Sequence, residues 1–93
     1  MSVWLVERHL KGVSMEALAR AQGAAITEAR KSTANGTTVR YMRSLFTPED
    51  GRCCCLFEAD SAAAVRQVND AAGLPYNRVQ RRTRCTDAPF HCG

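Results

Sequence analysis

The chain has no apolar run approaching the ~20 residues that a membrane-spanning helix needs, and Met1-Ser2-Val3-Trp4 opens without the basic and apolar stretches of a secretory leader. These absences predict a cytoplasmic protein with no membrane partner. Aromatic residues are scarce, at 6%, and none is interleaved with the arginines that crowd the C-terminal end. Zinc-finger spacings and a recognition-helix pattern are missing too. In a chain of net charge +4, Arg78, Arg81, Arg82 and Arg84 therefore read as a charged edge strand that resists stray strand pairing, and nucleic acid is not expected as a partner. Disorder and coiled coil are excluded by what is present: 45% apolar and 24% charged residues, the balance of an ordinary globule. At 93 residues one compact core is the limit. We expect a single domain over residues 1–84 and a flexible tail over 85–93.

Five cysteines are an odd number: Cys53, Cys54, Cys55, Cys85 and Cys92. A secreted disulfide framework favours an even count, so reduced thiols are expected. Neighbours on a strand point to opposite faces, which leaves Cys53 and Cys55 together and Cys54 across from them. Buried thiols behave as small apolar residues. A soft-metal site would draw on His9, Cys53 and Cys55, with Cys85 and His91-Cys92 as further donors, although neither cysteine spacing is that of a recurrent zinc site.

The pattern along the chain alternates strand and helix. Val3–Arg8 is aromatic and β-branched at its front, as a buried strand requires. After Lys11-Gly12, Ser14 is a helix cap with Glu16 in the first turn, and Leu18, Ala21, Ala25 and Ala29 make a narrow small-residue stripe that ends near Lys31-Ser32. Thr37–Phe46 and Arg52–Ala59 form a hairpin across Thr47-Pro48-Glu49-Asp50-Gly51. Strict alternation pairs Arg40 with Glu58, Tyr41 with Phe57 and Leu45 with Cys53. It puts Val39, Tyr41, Arg43 and Leu45 on one face, and Arg40, Met42, Ser44 and Phe46 on the other. Asp60 or Ser61 caps a second helix through Val65, Val68 and Ala72, closed by Gly73-Leu74-Pro75. Tyr76–Arg84 is a last basic strand.

The order β-α-β-β-α-β, with short connections and right-handed crossovers, predicts an α+β ferredoxin-like fold: a four-stranded antiparallel sheet with two helices on one face. The other face is also apolar, and a second copy of the chain is the natural cover.

Four segments carry a resemblance: Val3-Trp4-Leu5-Val6-Glu7-Arg8, Tyr41-Met42-Arg43-Ser44, Cys55-Leu56-Phe57-Glu58-Ala59, and Val65-Arg66 with Ala72-Gly73-Leu74-Pro75-Tyr76-Asn77-Arg78-Val79. Over about residues 3 to 80 the chain resembles a family of small bacterial proteins, largely uncharacterised, whose named member is a nickel-binding, nickel-responsive protein. The resemblance implies a homodimer, a dimeric α+β barrel, and nickel or another divalent metal as the cofactor. It also implies a ligand pattern of two adjacent histidines after the first strand, further His or Glu in the second, and a His near the end of the second helix. Here those positions read Arg8-His9, Met42-Arg43 and Asn69. Guanidinium never ligates a cation, so the inherited set is largely replaced.

Three functions follow as expectations. The first is a binding protein whose dimer or sheet cavity holds a small ligand, possibly anionic, among Glu7, Arg8, His9, Tyr41, Arg43 and Asn69. Arginine suits a carboxylate or phosphate. The second is a metal-binding or sensing protein using His9 with Cys53 and Cys55. The third is a small barrel enzyme of isomerase, cyclase or monooxygenase type, with Glu7, His9 and Tyr41 as the acid–base candidates.

Overall fold

A computed structural model describes residues 1–82 and shows the expected order, β1 (Ser2–His9), α1 (Met15–Ala34), β2 (Val39–Thr47), β3 (Arg52–Ala59), α2 (Ala62–Ala71) and β4 (Arg78–Arg82). The strands form one antiparallel sheet in the order β2-β3-β1-β4, the ferredoxin-like arrangement. The end of the anticipated last strand, the tail over 85–93, and with it Cys85, His91 and Cys92, lie outside the described residues.

Local chemistry sets the ends of the elements. Ser14 caps α1 by accepting from Ala17 N at 3.1 Å, and Ser61, rather than Asp60, caps α2 by accepting from Ala64 N at 3.2 Å. The first helix runs past Lys31-Ser32 to Ala34. Its last polar side chains anchor the next strand: Ser32 donates to Thr37 O, and Thr33 bonds both the N–H and the C=O of Val39. At the end of α2, Gly73 takes φ 70°, and Leu74 N donates back to Asn69 O at 3.0 Å, the 6→1 bond of a Schellman close. Gly51 does a different task. A Cβ built there would stand 2.4 Å from Lys11 backbone atoms, and the Gly51 carbonyl accepts from Leu10 N at 2.7 Å. The β2–β3 turn is thereby seated on the chain leaving β1.

The hairpin register departs from strict alternation at one residue. Arg40 faces Glu58 and Tyr41 faces Phe57 as expected, but then Arg43 faces Leu56, Leu45 faces Cys54 and Phe46 faces Cys53. Met42 is the extra residue of a β-bulge, and every residue after it changes face. Ser44 and Phe46 join Val39 and Tyr41 under the helices, while Arg43 and Leu45 turn to the open side. Leu45 is accordingly 63% exposed.

The core lies between the sheet and the two helices. Val6, Val39, Phe57 and Ala59 from the strands meet Ala25 and Ala29 of α1 and Ala64, Val65 and Val68 of α2. Trp4, half-buried on the same face, donates its indole N–H to Ala59 O at 2.9 Å. The small residues Ala25 and Ala29 of α1 lie in this core, and α1 packs chiefly on β2 while α2 covers β3 and β4. Met15, by contrast, contributes little packing; it is 70% exposed at the start of α1.

Candidate functional site

Between α1 and the sheet lies a cavity of about 220 Å³. Its walls are apolar, from Leu10, Leu18, Ala21, Ala25, Phe46 and Leu74, and it reaches the surface beside the exposed Met15 and Gln22. Arg8, Ser44, Cys53 and Cys55 supply its sheet side. Each arrives there for a local reason. Arg8, Cys53 and Cys55 alternate onto the inner face of β1 and β3, and the bulge at Met42 turns Ser44 inward to meet them.

These groups form one hydrogen-bonded chain. Gln22 donates to the Tyr41 hydroxyl at 2.8 Å, Tyr41 and Ser44 share a bond, Ser44 Oγ lies 3.0 Å from Cys55 Sγ, and Cys55 Sγ lies 4.0 Å from Cys53 Sγ. Tyr41 also meets Phe57 edge to face, which fixes its ring. Arg8 is 2% exposed, yet among the described residues no carboxylate pairs with it. Its guanidinium donates to Asn69 Oδ1 at 2.8 Å and to Pro75 O at 3.2 Å. Asn69, fully buried, is held in turn by donating to Val65 O at 2.8 Å.

The charge of Arg8 acts on the neighbouring thiols. Cys55 is held down to about 5, first by the hydrogen bond from Cys53, then by that from Ser44 and by the positive charge of Arg8, against the opposing effect of burial. Cys53 is pushed the other way by the same hydrogen bond and by burial, so the two thiols titrate as a pair in which one proton leaves far more readily than the other. The charge of Arg8 and the hydrogen bonds from its neighbours thus favour the thiolate form of Cys55 on the floor of the cavity. Cys54, across the strand, is raised by burial and by the carboxylate of Glu7.

The residues singled out from the sequence divide between the two faces. Arg8, Tyr41 and Asn69 lie on the helix side, and Glu7, His9 and Arg43 on the open side. They do not line one space within the chain. Glu7 and His9 do meet, with Oε1 and Nε2 3.9 Å apart, but Arg78 Nε stands 3.8 Å from the same carboxylate oxygen. Tyr41 is on the far side of the sheet from both. His9 likewise does not converge with Cys53 and Cys55, which point inward. Among the described residues no three of His, Cys, Asp and Glu gather as a metal cluster. A borderline divalent ion such as nickel prefers a fuller set of nitrogen and oxygen donors, and an arginine beside the one available carboxylate works against it. Within one chain these residues do not fit nickel. Ser44 and Gln22 were missed from the sequence. Strict alternation sends Ser44 outward, and Gln22 looks like a solvated helix position.

No curated protein sequence matches the chain. The structure is similar to the crystal structure of SCO4226 from Streptomyces coelicolor A3(2), with a TM-score of 0.75, 20% identity, and coverage of 98% of this chain and 100% of that one. An identity that low supports the fold alone, and it agrees with the ferredoxin-like arrangement above. The family described as Nickel responsive protein SCO4226-like matches residues 4–81, from Trp4 through Arg81 and so across all six elements. The chain belongs to that SCO4226-like family.

Proposed function

We propose that the chain acts as a cytoplasmic homodimer that binds a small organic ligand, one with an apolar body and a single hydrogen-bond-accepting end. The observation that carries this reading is the cavity under α1, apolar on most of its walls, with Gln22 at its mouth and the donor groups of Arg8 on its sheet side. Arg8 uses two of its five N–H groups on Asn69 and Pro75 and directs another toward Cys55, so donors remain for a carbonyl or carboxylate. Of the six residues expected to line a ligand site this keeps Arg8, and it moves the chamber from the dimer face to the helix side.

Dimerisation is supported by the other face. Val3 and Leu5 of β1, Leu56 of β3 and Leu45 of β2 form an apolar centre there, flanked by Arg40, Glu58, Glu7 and Arg78. A second copy would cover the leucines and leave the charges at the rim. Light scattering is expected to give twice the 10.2 kDa of one chain.

The ligand reading is tested by titrating isotope-labelled protein with short-chain acids and their amides, such as hexanoate and hexanamide, and following backbone resonances. Shifts are expected at Leu18, Ala21, Ser44 and Cys55, and they should vanish in Ala21→Phe, which fills the cavity from a half-buried helix position. Shifts confined to the open face, or unchanged in Ala21→Phe, overturn the reading. Metal analysis of tag-free protein is expected to show nickel well below one ion per chain, and stoichiometric nickel would return weight to a metal-binding role.

A further inference from the structure

The cavity floor carries a second feature that an organic ligand does not use. Cys53 and Cys55 are 2% and 6% exposed, send both sulfurs to the same side of β3, and hold them 4.0 Å apart. A disulfide is a poor fate for this pair. Residues two apart on a strand have Cα atoms ~6.7 Å apart, at the outer edge of what a disulfide spans, and the strand would have to deform to close the bond. The spacing does suit a shared ion. For metal–sulfur bonds near ~2.3 Å, two sulfurs stand ~3.8 Å apart on a tetrahedron and ~4.6 Å apart across a linear ion. The observed separation lies between them, and small rotations of the thiols reach either.

The surroundings decide how many ligands and what charge. Beside the two sulfurs stands the Ser44 hydroxyl, 3.0 Å from Cys55 Sγ. Arg8, buried beside the pair and unpaired with any carboxylate among the described residues, cannot ligate and repels a highly charged cation. It does favour an anionic complex. Two thiolates, one monovalent cation and one guanidinium sum to zero charge, whereas a divalent ion leaves one positive charge uncompensated in the interior.

We propose that Cys53 and Cys55 form a two-sulfur site for a soft monovalent cation, copper(I) or its redox-inert counterpart silver(I), with Arg8 balancing the charge of the bis-thiolate complex. Soft thiolates select such ions over nickel. Binding displaces the remaining thiol protons to solvent and involves no change of oxidation state. The donors are sulfur, so this site stands whether or not an organic ligand enters the same cavity. Hexanoate titration and silver titration fail independently.

The test uses the full-length, reduced protein without oxygen. One equivalent of silver(I) is expected to move the Hβ and Cβ resonances of Cys53 and Cys55 together, with Hβ–silver couplings at both residues and none at Cys54. This readout uses the native sequence and does not depend on a variant folding. Against a copper(I) chelator, Cys53→Ser and Cys55→Ser are each expected to lose copper(I) affinity ~100-fold or more, while the Cys85→Ser/Cys92→Ser double variant holds it as the native chain does. Couplings that appear only at Cys54, Cys85 or Cys92 overturn the proposal. So does loss of copper(I) from the double variant to the same extent as from Cys53→Ser, or displacement of silver(I) by excess nickel(II).

Discussion

The two faces of the sheet are built from the same four strands and could hardly differ more in how they handle charge. Under the helices, β1 and β3 present Trp4, Val6, Phe57 and Ala59, and the basic residue admitted there, Arg8, is clamped by Asn69 and Pro75 and lies beside the thiols. On the open side, Glu7, Glu58, Arg40 and Arg78 meet as ordinary ion pairs, Arg40 with Glu58 at 3.2 Å and Arg78 with Glu7 at 3.8 Å, around Leu5 and Leu56. Exposed pairs of that kind contribute little to stability. The interior pairing is of higher consequence, because an unmatched buried charge is costly. The difference teaches where chemistry resides: the covered face carries the unusual groups, and the open face has the make-up of a surface awaiting a second copy.

The sharpest way to break this comparison is to truncate neighbours on β3. Phe57→Ala, on the covered face, is expected to cost about 3–5 kcal/mol in urea unfolding. Leu56→Ala, one residue away, should cost less than ~1 kcal/mol at protein concentrations low enough to dissociate a dimer. In Leu56→Lys the particle mass should fall to that of one chain. Equal losses at both positions would mean that the open face is already packed within the chain, contrary to its half-exposed leucines.

Gly51 links the faces at one end, since its turn rests on the backbone of Lys11 and on Leu10, a wall of the cavity. An added methyl group meets backbone that cannot swing aside, at a φ of 73° that favours glycine. Gly51→Ala is expected to cost about 2–4 kcal/mol. Its nitrogen–proton spectra should show shifts at Leu10 and along the cavity before any at the far end of the sheet. A neutral outcome in thermal melts would mean that the turn is not seated as described.

Much of this was legible beforehand, and the parts that were not have physical causes. Helix caps and the Gly73-Leu74-Pro75 close depend on a few adjacent residues, so Ser14 and the end of α2 stood where their sequence put them. Strand order followed from connection length. The face of β2 did not, because alternation propagates an error: one extra residue at Met42 inverted Arg43 through Phe46. That single inversion hid Ser44 from the site, and it turned Arg43, singled out through the family resemblance, to the open face. Arg8 and Asn69 were both picked out through the resemblance, but the bond between them and the one to Pro75 were not. Asn69 and the Pro75 carbonyl lie more than sixty residues away, and only the folded sheet brings them to it.

The thiol pair gives the covered face a pH signature that the open face lacks. In the folded chain Cys55 ionises at about 5, against 9.0 for an ordinary thiol. Between those values the folded state holds one proton fewer than the unfolded state, so stability rises with pH, by at most ~1.4 kcal/mol per unit. Above about 9.0 the unfolded chain sheds both thiol protons while Cys53, raised by its bond to Cys55 and by burial, keeps its own, and the trend reverses. Urea midpoints of metal-free protein from pH 5 to 10 should therefore pass through a maximum near 9. Cys55→Ser should flatten the rise, and Cys54→Ser should leave it in place. A rise that survives Cys55→Ser would assign the pH dependence to the carboxylates of the open face instead.

The smallest effect is the most diagnostic of how the faces are kept apart. Remove Met42, and β2 reads Val39, Arg40, Tyr41, Arg43, Ser44, Leu45, Phe46, an unbroken alternation in which Val39, Tyr41, Ser44 and Phe46 still point inward. Nothing in the core depends on the Met42 side chain, which is 43% exposed. The deletion is expected to change stability by less than ~1 kcal/mol. It should also keep the cross-strand contacts of Arg43 with Leu56 and Leu45 with Cys54 in nuclear Overhauser spectra. What it removes is the extra local twist that a bulge imposes at a sheet edge. If the contacts instead slip by one residue, so that Ser44 turns outward and Cys55 loses its hydroxyl partner, the bulge is not a tolerated insertion but the device that sets which side chains reach the cavity.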